Sequence, residues 1–241
     1  MKTINRLKPI PNTILPDNVD IHIATVHEPL VCISDTFQGI IEFQPEYFRR
    51  GIIGATKHIY VRETVSKMLQ NAAQSLPAGY KLKIYDAWRP VAVQRALFDN
   101  YYLALCHSYT DLSKSEDELI KMAMQFVSLP SDDPNKPFVH ATGGAVDLTI
   151  VDSNGNDLNM GTEFDDFSDA AHTSFFENHP NLAIRDNRRL LYNTMLSAGF
   201  TNYPAEWWHY DFGDNFWAAT KLQNSIYQGI YTTPIRNSDN L

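Results

Sequence analysis

The sequence predicts an α+β fold, a single domain with a central antiparallel sheet flanked by helices. Three observations predict it. Stretches that alternate with period two, such as "YKLKIY" (80–85) and "AVDLTIV" (145–151), mark strands. Stretches whose apolar residues recur every three or four positions, such as 61–76, mark amphipathic helices. The two kinds are interspersed without the regular strand–helix alternation of a parallel sheet. At 241 residues, 44% hydrophobic and 12% aromatic, the chain is long and apolar enough to fill one core.

Each element has a local reason. The first twenty residues contain Pro9, Pro11 and Pro16 and read as an arm (1–20) preceding the domain proper (21–241). "IHIATVHEPLVCI" (21–33) carries β-branched residues in rough alternation, which predicts one or two short strands. In "VRETVSKMLQNAAQSL" (61–76), Val61, Val65, Met68, Leu69, Ala72 and Leu76 share a helical face, and Pro77 and Gly79 end the helix. Pro90 opens a second helix, "VAVQRALFDNYYLALC". Ser115 and Glu118 form a capping box ahead of a third. Residues 128–138 are loop, and the strand at 145–151 is followed by a turn at Ser153–Asn156 and a returning strand. The stretch 161–182 has no clean period and reads as a long loop. Asp186 or Asn187 can cap "RRLLYNTMLSA", which Gly199 stops. "EWWHYDF" (206–212) reads as an aromatic strand, with a final helix over 214–227.

Charge narrows the function. The net charge is −8, and the basic residues never cluster beyond the pairs Arg49-Arg50 and Arg188-Arg189. This argues against a nucleic-acid backbone or an anionic membrane as partner. The N-terminus lacks the apolar core of a signal peptide, and no apolar stretch approaches the ~20 residues of a membrane span. Cys32 and Cys106 are too few for a disulfide framework and read as free thiols. A cytoplasmic enzyme is the simplest expectation.

Of the eight histidines, His22, His27, His58, His107, His172 and His179 have ordinary structural or solvated settings. His140 and His209 have unusual company. In "HATGGAVDLTI" (140–150), His140 precedes a glycine pair, and Asp147 interrupts an apolar strand where a buried carboxylate needs a partner. Alone, the stretch reads either as a hydrogen-bonded turn or as half of a metal site. In "AEWWHYDF", Glu206 and His209 stand three apart; in a regular strand that spacing faces opposite sides, so both reach one site only where the strand bulges or ends. Together the two segments offer two imidazoles, one carboxylate ligand and a spare carboxylate, the composition of a catalytic zinc site with one position left open. In "IYDAWRPVAVQ" (84–94), Arg89 could stabilise an oxyanion or grip a carboxylate, or it could form a structural pair with Asp86.

Four ordered blocks, "YDAWRP", "HATGGAVDLT", "MGTEFD" and "EWWHY", then carry a resemblance. Over about residues 61–212 the chain resembles the D-alanyl-D-alanine dipeptidases, zinc enzymes that include those associated with vancomycin resistance. The resemblance implies a compact α+β domain with a central antiparallel sheet and one Zn2+ per chain held by His140, Asp147 and His209. It also implies Glu206 as catalytic base and Arg89 as transition-state stabiliser. Asp165 would receive the dipeptide's amino group, Asp86 would belong to the pocket wall, and Trp207 and Trp208 would help close a small cavity. The expected partner is a small dipeptide; a homodimer is compatible with the sequence but nothing in it demands one. Phe138 stands where the family often has serine, and "TFQG" (36–39) matches an early family segment only weakly. A D,D-carboxypeptidase, a peptidoglycan endopeptidase or an inactive zinc-containing binding module are the competing readings.

Overall fold

Alternation and helical periodicity resolve into thirteen α and β elements in the computed structural model, which describes residues 7–15, 26–37, 39–109, 114–124 and 126–234. In chain order these are β1 (Leu30–Cys32), β2 (Ile41–Phe43), α1 (Glu46–Arg49), β3 (Tyr60–Arg62), α2 (Glu63–Ser75), β4 (Lys81–Asp86), α3 (Val91–Ser108), α4 (Glu116–Ala123), β5 (Val146–Val151), α5 (Leu182–Ser197), β6 (Thr201–Asn202), β7 (His209–Asp211) and α6 (Asn215–Lys221). Short 3-10 turns occupy Val139–Thr142, Asp169–Ala171 and Phe175–Asn178. The central sheet runs β2-β4-β5-β7-β6, and β1 and β3 form a separate antiparallel ribbon. Pairings β4–β5, β5–β7 and β7–β6 are antiparallel, as expected, while the edge strand β2 joins β4 in parallel. That edge is parallel because the chain crosses over through α1, β3 and α2 before entering β4. Among the described residues, no helix is long and apolar enough to cross a membrane.

The core forms where the apolar faces meet. Leu82 and Ile84 of β4 pair in register with Ile150 and Leu148 of β5, and all four are fully buried. They share one cluster with Val65, Leu69 and Ala72 of α2 and with Leu191 and Met195 of α5. The helical face expected over 61–76 is therefore real, except that Val61 belongs to β3 and the helix starts at Glu63. The capping box at Ser115 and the opening at Pro90 form as expected. Cys32 and Cys106 are both free thiols.

Three boundaries differ for local reasons. Helix α5 begins at Leu182, five or six residues earlier than expected, because the Asn181 side chain caps it by accepting from the Ile184 N–H. Asp186 instead pairs with Arg185, and Asn187 donates to the Asn159 carbonyl. Asp214 caps α6 as the final helix, but the helix stops at Lys221 because Leu222 turns left-handed. The returning strand after the 153–156 turn shrinks to a single bridge between Val151 and Asp157. His22, Gln38 and the boundary between the arm and the domain lie outside the described residues. Of the arm, Ile10 is buried and its N–H donates to Glu177, while Asn193 of α5 donates to the Lys8 carbonyl.

Two buried arginines fasten the loops around the sheet. Arg188 of α5 is 1% exposed and donates to the carbonyls of Met160, Ala170 and His172, at 2.7, 2.7 and 2.6 Å. The long irregular stretch expected over 161–182 is thus tied down by one guanidinium, whose planar donors suit several carbonyls at once. Arg62 donates to the carbonyls of Thr142, Glu28 and Gln228, joining the Val139–Thr142 turn to both ends of the domain. Beside that turn, a Cβ on Gly144 would lie 2.2 Å from the Phe212 carbonyl oxygen, so only glycine lets β5 approach there.

Arg188→Leu should lower unfolding free energy by about 3–5 kcal/mol, because three buried carbonyls lose their donors; urea denaturation read by tryptophan fluorescence measures it. Gly144→Ala should cost about 1–3 kcal/mol through forced overpacking against Phe212, and a melting temperature equal to that of the parent would contradict the close approach.

Candidate active site

The register of the central sheet sets one row of polar residues side by side. Asp86 of β4 lies opposite Asp147 of β5, and Asp147 lies opposite His209 of β7. Paired residues of antiparallel strands project to the same face, so the three side chains converge at one end of the sheet. A bulge between Ile84 and Asp86 makes this possible. Without it Tyr85 would oppose Asp147; instead Tyr85 stacks on Phe164 with ring centroids 4.8 Å apart.

His140 reaches the row from the 3-10 turn Val139–Thr142, which ends at Gly143 in the left-handed conformation (φ 73°). Its Nδ1 lies 2.7 Å from the Ala87 carbonyl, an acceptor that makes this nitrogen the donor. The Nε2 lone pair then faces inward, 3.3 Å from both His209 Nδ1 and Asp147 Oδ2. His209 is held the same way: Nε2 donates to Asp211 Oδ1 at 2.7 Å, and Nδ1 faces Asp147 Oδ1 at 2.9 Å. His140, Asp147 and His209 are all buried.

These three residues can hold a cation. One donor atom from each lies within 4.8 Å of the others; the two ring nitrogens are 3.3 Å apart, and Asp147 sets Oδ2 3.3 Å from His140 Nε2 and Oδ1 2.9 Å from His209 Nδ1. Ligands of a tetrahedral centre with bonds of roughly 2.0–2.2 Å are about 3.3–3.5 Å apart, so small shifts admit an ion. Two imidazole nitrogens and a carboxylate suit a divalent transition-metal ion, and each ring is oriented by an outer acceptor. Burial alone would raise the Asp147 carboxyl, but the His140 and His209 rings hold it well below the usual range.

Glu206 sits in the turn before β7, with Oε2 3.8 Å from His209 Nδ1. The strand begins only at His209, and this removes the objection that residues three apart face opposite sides. Burial pushes the Glu206 carboxyl up to about 8, with Asp147 and Asp165 adding to the effect and His209 and Arg89 opposing it. A buried carboxyl whose pKa is raised is suited to general acid–base work.

Arg89 follows the end of β4 with each of its three nitrogens bonded to a neighbour. Nε donates to Asp86 at 2.8 Å and Nη1 to Gln94 at 2.7 Å, while Nη2 lies 3.3 Å from Asp147 Oδ2. The Tyr47 ring lies beneath it at 4.9 Å. Asp86 Oδ2 is also 3.4 Å from His140 Nδ1. Asp86 therefore stands behind Arg89, which it orients, and beside His140, rather than lining the cavity as expected.

A cavity of about 420 Å³ opens over these groups, lined by His140, Asp147, Asp165, Glu206, His209 and Arg89 on its polar side. Asp165, at φ 64°, accepts from Tyr47 Oη at 3.1 Å and from Arg50 Nη1 at 2.7 Å. Burial pushes its carboxyl up to about 6, with Asp147 reinforcing this and Arg50 and Arg89 opposing. The tryptophan pair is divided. Trp208 lines the cavity, whereas Trp207 turns away and donates from Nε1 to Thr162 at 2.8 Å. Phe138 is in the cavity wall.

Sequence reasoning missed Tyr47, Arg50, Gln94 and Asp211. Asp211 had a signal, since it lies two residues beyond His209 and strand residues two apart share a face. Tyr47 and Arg50 come from one helical turn and the residue that closes it, with no motif to mark them.

The model of the D-Ala-D-Ala dipeptidase (peptidase M15) family matches residues 49–228, a wider span than the motifs alone suggested. A D-alanyl-D-alanine dipeptidase of Synechocystis sp. is 29% identical over 210 residues, covering 79% of this chain and 84% of its own length. One from Escherichia coli K12 is 28% identical over 152 residues, covering 62% of this chain and 64% of its own. Among solved structures, VanYB in complex with D-alanine-D-alanine aligns over 69% of this chain and 78% of its own, at 18% identity and a TM-score of 0.41. The family match spans most of the chain, and the protein is an enzyme belonging to the peptidase M15 family of D-Ala-D-Ala dipeptidases.

Proposed function

We propose that this enzyme hydrolyses the dipeptide D-alanyl-D-alanine to two D-alanines, using one zinc ion held by His140, Asp147 and His209. The observation that carries the reading is the convergence of this nitrogen and carboxylate donor set with Glu206, 3.8 Å from His209, on the floor of one cavity. Bound there, zinc would supply Lewis acidity, polarising the scissile carbonyl and lowering the pKa of the attacking water.

The protein's own groups perform the remaining work. Glu206 takes the proton of the attacking water and returns it to the leaving amine, a role its elevated pKa suits. Arg89 is fixed by Asp86 and Gln94 and turns Nη2 toward the Asp147 side of the site, where it balances charge on the tetrahedral oxyanion. Asp165 receives the substrate ammonium, exchanging part of its pairing with the half-exposed Arg50. Such an activity serves either turnover of wall-derived dipeptides or glycopeptide resistance.

The zinc-loaded enzyme should release alanine from D-Ala-D-Ala but not from L-Ala-L-Ala or a longer peptide ending in D-Ala-D-Ala. Chelation should abolish the activity and added zinc restore it. Cleavage confined to the longer peptide would replace the dipeptidase reading with a carboxypeptidase one. Glu206→Gln should keep one zinc per chain by atomic absorption while kcat falls about 10²–10⁴-fold; full activity would remove Glu206 from its role. Asp165 is neutral below its raised pKa of about 6 and ionised above it. KM for D-Ala-D-Ala should therefore rise as the pH falls through about 6. In Asp165→Asn, KM should be high throughout and that pH dependence absent.

A further inference from the structure

Two methyl side chains do not account for this cavity. Its volume of about 420 Å³ falls within the range of pockets that bury considerably larger ligands. The charged groups come from the end of the sheet and the loops and turns beside it, joined by Gln94 and Asn100 of α3, whereas an apolar wall is added by other side chains. Leu97 and Tyr101, one turn apart on α3, face the cavity together with Met124, Phe126 and Phe167. The rings of Tyr101, Phe126 and Phe167 pack on one another with centroids 4.9–5.8 Å apart. Yet Met124 and Phe126 remain 47% and 40% exposed, so the cluster presents apolar surface that it does not itself bury.

We propose that this wall is a side-chain subsite for a large apolar residue at the N-terminal position of a D,D-dipeptide. The assignment rests on the dipeptidase reading above and specifies its substrate class. The position follows from Asp165. Phe167 lies two residues beyond it in the same cavity lining, and a dipeptide's ammonium and N-terminal side chain branch from one carbon. With the ammonium on Asp165, that side chain is directed to the neighbouring rings. The other apolar lining, Phe138, Trp208 and Phe216 among it, belongs to the rest of the cavity and is not part of this subsite.

The test compares kcat/KM of the zinc-loaded enzyme for D-Ala-D-Ala, D-Leu-D-Ala, D-Phe-D-Ala, D-Ala-D-Leu and D-Ala-D-Phe. D-Leu-D-Ala and D-Phe-D-Ala should exceed D-Ala-D-Ala by about tenfold or more, the scale on which an apolar pocket discriminates. The C-terminal analogues should gain nothing. Ala104 lines the same wall and is exposed, so Ala104→Phe fills the subsite without entering the core. In that variant, the ratio of D-Phe-D-Ala to D-Ala-D-Ala should fall at least fivefold. Equal or better turnover of D-Ala-D-Ala by the parent enzyme, or a gain that follows the C-terminal residue, overturns the subsite and leaves the dipeptidase reading standing. A ratio unchanged in folded Ala104→Phe also overturns it. Failure to cleave any of the five dipeptides overturns both.

Discussion

A one-residue slip of β5 against β7 would turn Asp147 into the hydrophobic core and bring Leu148 to His209. What prevents the slip is the opposite face of the same strand, where Val146, Leu148 and Ile150 are fully buried among α2 and α5 residues. The apolar face therefore holds the polar face in register. The bulge at Tyr85 then completes the row, because it lets β4 keep Leu82 and Ile84 in the core and still present Asp86 beside Asp147. One arrangement of strands thus serves packing and places the carboxylates at the same time.

The row would be expensive to bury if its charges were unpaired. Each has a specific counterpart. Asp86 accepts from Arg89, Asp147 lies against both imidazoles and Arg89, and the outer nitrogen of His209 meets Asp211. These contacts also decide which atom of each ring faces inward, so the donor set is oriented by the protein before any ligand arrives. Pre-set orientation of this kind lowers the reorganisation that a reacting charge would otherwise require.

The irregular segments are as constrained as the strands. Arg62 links the His140 turn to Glu28 and Gln228, and Arg188 gathers carbonyls on both sides of Asp165, that of Met160 before it and those of Ala170 and His172 after it. Loops with few internal hydrogen bonds are ordinarily mobile. Here two buried guanidiniums supply the donors that regular secondary structure would have provided. The turn carrying His140 and the loop carrying Asp165 are positioned by side chains distant from the cavity, which connects core stability to the geometry of the site.

Much of this was legible in the sequence because it is local. Period-two alternation encoded β4 and β5, Pro90 and the Ser115–Glu118 box encoded helix starts, and the blocks around His140, Asp147, Glu206 and His209 named the groups that converge. Elsewhere local signals stopped short: Asn181 rather than Asp186 or Asn187 caps α5, and Leu222 ends α6 early. Only the tertiary structure decided that Asp86 stands behind Arg89, that Trp208 lines the cavity while Trp207 does not, and that Tyr47 and Arg50 meet Asp165. The physical reason is range. Dihedral preferences and apolar periodicity act over a few residues and are written in the sequence, whereas a bulge, a strand register and contacts between residues more than a hundred positions apart are settled when the core packs.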